Sequence, residues 1–257
     1  MNLSKMRTEW NKRARRNALY YVLTDHRYLK NQEGVESLFA DGQDEIESVV
    51  TFVHEMGLNL NCDGRALDFG CGVGRLTQAL AEYFPSVYGV DISDEMIRYA
   101  NLFNKHGKRV QYLVNVQDNL GIFGDSYFDF IISDIVLQHI PEEFQPKYIS
   151  EFIRVLSANG ILIFQIPGEV VKRGLAPFIL KTGVFAQYGL GKEELERIVK
   201  KAGGRVINVT RSELNNAEIS NIIGKECEKH AGPTDIRAIM FNLLSNRRAS
   251  YLYVVGK

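Results

Sequence analysis

The stretch Leu67-Asp68-Phe69-Gly70-Cys71-Gly72-Val73-Gly74 restricts the fold more than any other part of the chain. An apolar run, RALDFG from Arg65, stops at glycine, and the helical pattern RLTQALAEYF begins at once. Glycines permit positive φ and let a ligand approach the backbone closely, and a nascent helix offers unpaired N–H groups. Strand, glycine turn and helix in that order are how the carboxyl edge of a parallel sheet builds a nucleotide site. The pattern then repeats. SVYGVD reads as a strand and SDEMIRYANLFNKH as a helix. Ser93 can cap that helix, and Asp94 and Glu95 suit the positive end of its dipole. VQYLVN, FDFIIS and GILIFQI read as three further strands. FDFIIS is apolar almost throughout, as a strand covered on both faces must be. Residues 146–156 look helical, with Pro146 tolerable in the first turn. The alternation predicts an α/β fold, a parallel sheet with helices on both faces.

The flanks are less regular. Residues 5–20 read as a helix with Lys5, Arg7, Lys12, Arg13, Arg15 and Arg16 set against Glu9. That basic face is either solvated or part of a cover. Ile46, Val49, Val50, Val53 and Met56 recur at helical spacing over 43–57. Beyond the fifth strand, 167–191 reads as a long loop. KEELERIVKKAG reads as an amphipathic helix ending at Gly203, GRVINVT as a strand, and SYLYVVGK as a closing strand. The closing strand follows without a standard crossover, so an antiparallel course is expected. Between them, 213–248 is ambiguous apart from a helix near 234–246.

Composition narrows the function classes. The 257 residues suit one α/β core with added segments. Thirty-one basic side chains balance thirty-one acidic ones, which disfavours binding of nucleic acid through bulk charge. No apolar run approaches the ~20 residues needed to span a bilayer, and the first residues carry no apolar signal-peptide segment. Cys62, Cys71 and Cys227 are odd in number and lack CxxC spacing. A disulfide framework and a zinc site are therefore improbable, and a cytoplasmic setting is expected.

The loop itself selects the ligand. A dinucleotide fingerprint needs G-x-G-x-x-G, but Arg75 stands where the third glycine would fall, and the spacing found is G-x-G-x-G. Asp68, two residues before the first glycine, would repel a pyrophosphate and favour a ligand with an ammonium group. Asp91 ends the second strand, seventeen residues after Gly74. It can accept both hydroxyls of a ribose, with Ile92 beside a purine. The plainer reading of Asp91 is an acid capping the next helix.

With these residues in view, 65–166 resembles the class I S-adenosylmethionine-dependent methyltransferases, of the small bacterial kind. FDFIISDIVLQHIP resembles their fourth motif, an apolar strand leading to a loop under the transferred methyl. The resemblance implies a seven-stranded Rossmann-like sheet, mostly parallel with an antiparallel last strand. It implies S-adenosyl-L-methionine as cofactor, held by Asp68, Gly70, Cys71 (through its backbone), Gly72 and Gly74 at the methionine portion and by Asp91 and Ile92 at ribose and adenine. Ser133 would add backbone contacts. Near adenine, many members place an acid. Here that acid is either displaced to Asp118, or Val116 takes its place and leaves adenine to the backbone and Gln117; the second is preferred. His139 is the candidate catalytic base, or a histidine that only packs the loop. Trp10, Tyr20 and Tyr21 are candidates for a lid over the substrate, or for simple packing. No metal is expected, because Asp134 has no evident acidic partner.

The implied organisation is a helical cap over 1–60 and a methyltransferase domain over 61–257, with 167–191 and 213–248 as substrate-side insertions. The implied activity is methyl transfer to an O or N atom of a small molecule. A protein or RNA acceptor is the alternative, and a nicotinamide-dependent oxidoreductase or a non-catalytic nucleotide-binding module the remoter one. A DNA partner is not expected, since no NPPY-type motif follows the fourth strand, nor a membrane partner, since no apolar run is long enough to span a bilayer. The oligomeric state is not legible.

Overall fold

A computed structural model describes residues 2–23, 32–167, 188–212 and 250–257. The helix read near 234–246 lies outside them, as do nearly all of 167–191 and 213–248. The elements run α1 (Leu3–Leu23), α2 (Gln32–Glu55), β1 (Arg65–Phe69), α3 (Arg75–Leu80), β2 (Ser86–Asp91), α4 (Asp94–Phe103), β3 (Val110–Val114), β4 (Phe128–Ser133), α5 (Gln145–Val155), β5 (Leu156–Pro167), α6 (Lys192–Lys201), β6 (Arg205–Ser212) and β7 (Ser250–Gly256).

The strands form one seven-stranded sheet in the order β3-β2-β1-β4-β5-β7-β6. The five strands β3, β2, β1, β4 and β5 run parallel to one another, whereas β7 runs antiparallel to both β5 and β6. The chain reverses direction at β1, leaving towards β2 and β3 and returning to β4. This is the switch point at which open α/β sheets hold ligands. β1 and β4 lie in the middle of the sheet and are buried over almost their whole length, which accounts for their near-continuous apolar sequence. Phe128, Phe130 and Ile131 are fully buried there. One core face joins them to Phe152 and Ile149 of α5, and the other to Leu80 of α3, Ala100 of α4 and Ile46 of α2.

Local signals explain the helix ends. The Ser93 hydroxyl accepts from Met96 N at 3.1 Å, which caps α4. α5 begins with Pro146 in its first turn. Two features differ from the sequence reading. α2 starts near residue 32, well before 43, although Gly34 and Gly42 weaken that stretch as a helix. The reason is packing: a Cβ at Gly42 would lie 2.5 Å from Arg75 Cγ and 2.8 Å from the Arg75 carbonyl. Glycine there lets α2 press against α3. α1 is interrupted at Asn17, whose backbone is extended (φ −165, ψ 91). The Asn17 side chain accepts from Tyr20 N at 3.3 Å, restarting the helix as an N-cap does.

The basic face of α1 is partnered rather than bare. Arg7 forks onto Asp94 at 2.7 and 2.8 Å, Asn11 donates to Asp94 at 3.0 Å, and Arg15 reaches Glu95 at 3.0 Å. Such exposed pairs, screened by solvent, contribute little each. Burial of a large apolar side chain contributes ~1.5–3 kcal/mol, and α1 buries Met6 and Leu19 together with Ala14 and Ala18. Apolar cover therefore holds α1 down, and the charges set where it sits.

Candidate functional site

A cavity opens at the carboxyl ends of β1, β2 and β4, under α1. The glycine loop forms its base. Gly70, Gly72 and Gly74 have φ of 80°, 53° and 86°, the left-handed region that side chains resist. Gly70 N and Cys71 N both donate to the Val90 carbonyl, at 2.7 and 3.1 Å, which fastens the loop to β2. A Cβ at Gly70 would strike the Val136 side chain, and one at Gly74 the Tyr112 hydroxyl. The turn therefore needs glycine for packing as well as for φ.

Two carboxylates flank the loop. Asp91 accepts from Gly72 N at 3.0 Å on one oxygen and from Ser93 N at 2.8 Å on the other. Each oxygen keeps a further lone pair for a ligand hydroxyl. Burial pushes the Asp91 carboxyl up to about 6, while those N–H donors pull it back. Asp68 is 3% exposed and accepts from the Thr77 hydroxyl at 2.6 Å. Burial pushes it up to about 7 against the opposing pull of Thr77 and Arg75. A ligand cation would offset that burial. The Cys71 thiol is driven well up by burial and by Asp68, so it stays neutral and is no nucleophile.

The cavity wall gathers Asp68, Gly70, Cys71, Gly72, Asp91 and Ile92 from the residues singled out in the sequence. His139 also lies on it, with Trp10 packed edge-on at 5.5 Å between ring centroids. The Arg13 guanidinium covers Trp10 at 4.4 Å. Tyr21 reaches the wall, whereas Tyr20 sits behind it, edge-on to Tyr21 at 5.0 Å.

Five other candidates stand off the wall. Gly74 caps α3. Ser133 is fully buried at the end of β4, and its hydroxyl has no hydrogen-bond partner among the described residues. Val116 is 39% exposed, and the Gln117 carbonyl accepts from the Tyr148 hydroxyl at 2.6 Å. Asp118 faces outward and pairs with Lys147 at 2.5 Å.

After β3 it is Asn115 that reaches the wall. It is buried, accepts from Gln117 N at 3.1 Å and donates to the Asn119 carbonyl at 2.7 Å, folding the loop around itself. An Asn opening a polar N-x-x-D-N stretch is a turn signal, and that was the available clue. Arg75 and Asp134 also line the cavity. The sequence offered no clue to that pair, because their meeting depends on tertiary packing.

Residues 67–164 match a family model described as a methyltransferase domain. Over that stretch the core of this chain is similar to a methyltransferase domain. A ubiquinone biosynthesis O-methyltransferase of Idiomarina loihiensis is 27% identical over 138 residues, which are 53% of this chain and 56% of that protein. The chain thus spans about half the length of the curated relatives it matches, 56% of that protein and 41% of another. Among solved structures, a magnesium protoporphyrin IX methyltransferase of Synechocystis PCC 6803 with bound SAH has a TM-score of 0.63 at 19% identity, over 98% of both chains. A phosphoethanolamine N-methyltransferase 2 of Haemonchus contortus has a TM-score of 0.58 at 19% identity, over 81% of this chain and 52% of the other. At those identities the two structures speak for the fold.

Proposed function

We propose that this chain is an S-adenosylmethionine-dependent methyltransferase that moves a methyl group to an O or N atom of a small molecule. The observation that carries the reading is the joining of Asp91, Ile92 and the left-handed Gly70 and Gly72 in one cavity, inside the stretch matched by the methyltransferase domain. The residues suit the cofactor: acids for a ribose and an ammonium group, and a close backbone approach at Gly72. When bound, the cofactor supplies a methyl carbon activated by positive sulfur. The chain's own task is alignment and exclusion of water. Fixing two reactants in line can contribute ~7–11 kcal/mol in favourable cases. Trp10, Tyr21 and Ile135 give the cavity an apolar and aromatic side, where water is displaced from a cationic centre.

In this reading His139 stands on the acceptor side and takes the acceptor's proton where that proton is still held at neutral pH. Asn115 replaces Val116 and Gln117 as the polar side chain facing adenine. Residues 1–60 act as the cap and 61–257 as the catalytic domain. The small-molecule acceptor is supported by the names of the relatives, one a ubiquinone biosynthesis enzyme and another a porphyrin methyltransferase. A cytoplasmic location is supported by the cysteine usage. No helix among the described residues is long and apolar enough to cross a membrane. The test is incubation of the protein with a cell extract and isotopically methyl-labelled cofactor, followed by mass analysis. A labelled metabolite is expected; label found only on macromolecules would move the reading to a protein or RNA acceptor.

A further inference from the structure

The turn that carries His139 is built around two glutamine amides. It is a single 3-10 turn, Leu137–His139, closed by His139 N on the Val136 carbonyl at 2.9 Å and Ile140 N on the Leu137 carbonyl at 3.0 Å. Gln145 of α5 is fully buried and reaches this turn. Its Nε2 donates to the Leu137 carbonyl at 2.9 Å and to the Ile140 carbonyl at 3.0 Å. Both N–H groups thus face carbonyl oxygens, so the amide can stand only one way round. Leu137 and Ile140 are buried as well. The bracket spans Gln138 and His139 and fixes their backbone. A buried polar side chain that holds both ends of so short a segment specifies one arrangement of it.

The second amide acts on the imidazole itself. Gln138 is 8% exposed, its Nε2 lies 3.3 Å from His139 Nε2, and its backbone carbonyl accepts from Tyr188 N at 2.8 Å. An amide nitrogen only donates, so the imidazole Nε2 accepts. A neutral imidazole that accepts at Nε2 carries its proton on Nδ1. Histidine in water favours the other tautomer, so the turn selects the less common one. The ring is packed in place too: Trp10 meets it edge-on at 5.5 Å, and the Arg13 guanidinium lies over Trp10 at 4.4 Å.

We propose that Gln138 is a positioning residue, which holds His139 as the Nδ1–H tautomer and so makes Nε2 the one nitrogen able to take a proton from the methyl acceptor, with Gln145 bracing the turn. The inference deepens the function proposed above and rests on it for the part His139 plays. Where the acceptor gives up a proton, its O–H or N–H bond breaks and the electron pair stays on the acceptor atom. The proton bonds to Nε2 in place of the Gln138 N–H, and the imidazolium later returns it to water.

The test is a long-range 1H–15N correlation spectrum of the whole chain labelled with 15N-histidine, recorded at about pH 8.5, above the ordinary imidazole range. His139→Gln identifies the signal of His139 among the five histidines. The parent is expected to show Nδ1 protonated and Nε2 bare. Gln138→Glu keeps the shape but offers only acceptor oxygens, and it should move the proton onto Nε2. Gln138→Leu offers neither donor nor acceptor, and it should give the Nε2–H form that water favours. Gln145→Leu should leave a mixture of both forms, because the turn is no longer held. An Nε2–H imidazole in the parent, or the parent's tautomer retained in Gln138→Glu, would overturn the inference, since a glutamine that merely packed the turn would not set the place of the proton. The parent spectrum decides the first point even if a variant does not fold. The readout needs neither cofactor nor acceptor, so failure here leaves the methyltransferase reading standing. Failure of labelled cofactor to yield any methylated product would sink that reading and leave the tautomer in place.

Discussion

Asp91 is anchored by two backbone donors, Gly72 N and Ser93 N, so its replacement removes more than a ligand contact. Asp91→Ala should weaken binding of S-adenosylhomocysteine by ~1.5–3 kcal/mol for each lost charged hydrogen bond. It should also lower stability, because two N–H groups lose their acceptor. Calorimetry and a thermal melt measure the two effects separately, and unchanged affinity would remove Asp91 from the ribose site. Asp68 carries a pH signature. Its carboxyl is pushed from the ordinary 3.8 to about 7 by burial. Between those values the unfolded chain has lost the proton and the folded chain keeps it, so this group's contribution to stability falls as pH rises. Asp68→Asn should remove the dependence. The melting temperature of the variant relative to the parent should rise from about pH 4 to about pH 7, and parallel profiles would contradict the assignment. The strand-end acids and glycines were legible because their roles follow from local order along the chain. Glu45 was not legible. It meets Arg75 thirty residues away, and only the contact between two helices makes it part of the site.

At the scale of elements, periodicity located nearly every strand and helix, and it erred where packing overrode propensity. The first turns of α2 contain two glycines that a sequence reading treats as breakers. Gly42 instead lies against Arg75 at the start of α3, with Glu45, which pairs with the same Arg75, three residues later. Gly42→Val should force the helices apart, costing ~1–3 kcal/mol as overpacked sites do, and should weaken cofactor binding by pulling Glu45 from Arg75. Urea unfolding and a binding titration check both parts. Stability lost with affinity intact would separate α2 from the site. For α1, the sequence left the basic face as either solvated or part of a cover. The structure places Arg7 and Arg15 of that face on Asp94 and Glu95 at the start of α4, next to Asp91 and Ile92. Trp10, the single tryptophan, lies on the cavity wall against His139. Its emission should therefore shift when S-adenosylhomocysteine saturates the site. Identical spectra with and without ligand would remove α1 from the ligand's surroundings.

For the whole molecule, the order of the strands puts the ligand site where it is. β1 sits between β2 and β4, so the loop after it, the acid after β2 and the turn after β4 open onto one crevice. The antiparallel β7 was legible from the missing crossover before SYLYVVGK. Its insertion between β5 and β6 was not, since neighbour order depends on how sheet edges pair. An acid-lined cavity and a glycine spacing unlike that of dinucleotide sites agree on a ligand that carries positive charge and no pyrophosphate. The central claim is that this cavity takes an adenosyl amino acid and not a dinucleotide. Calorimetric titration of the chain with S-adenosylmethionine, S-adenosylhomocysteine and NAD in parallel tests it most directly. Saturable heat from the first two and none from NAD is the result expected; binding of NAD, with no heat from either form of the methyl donor, would contradict it.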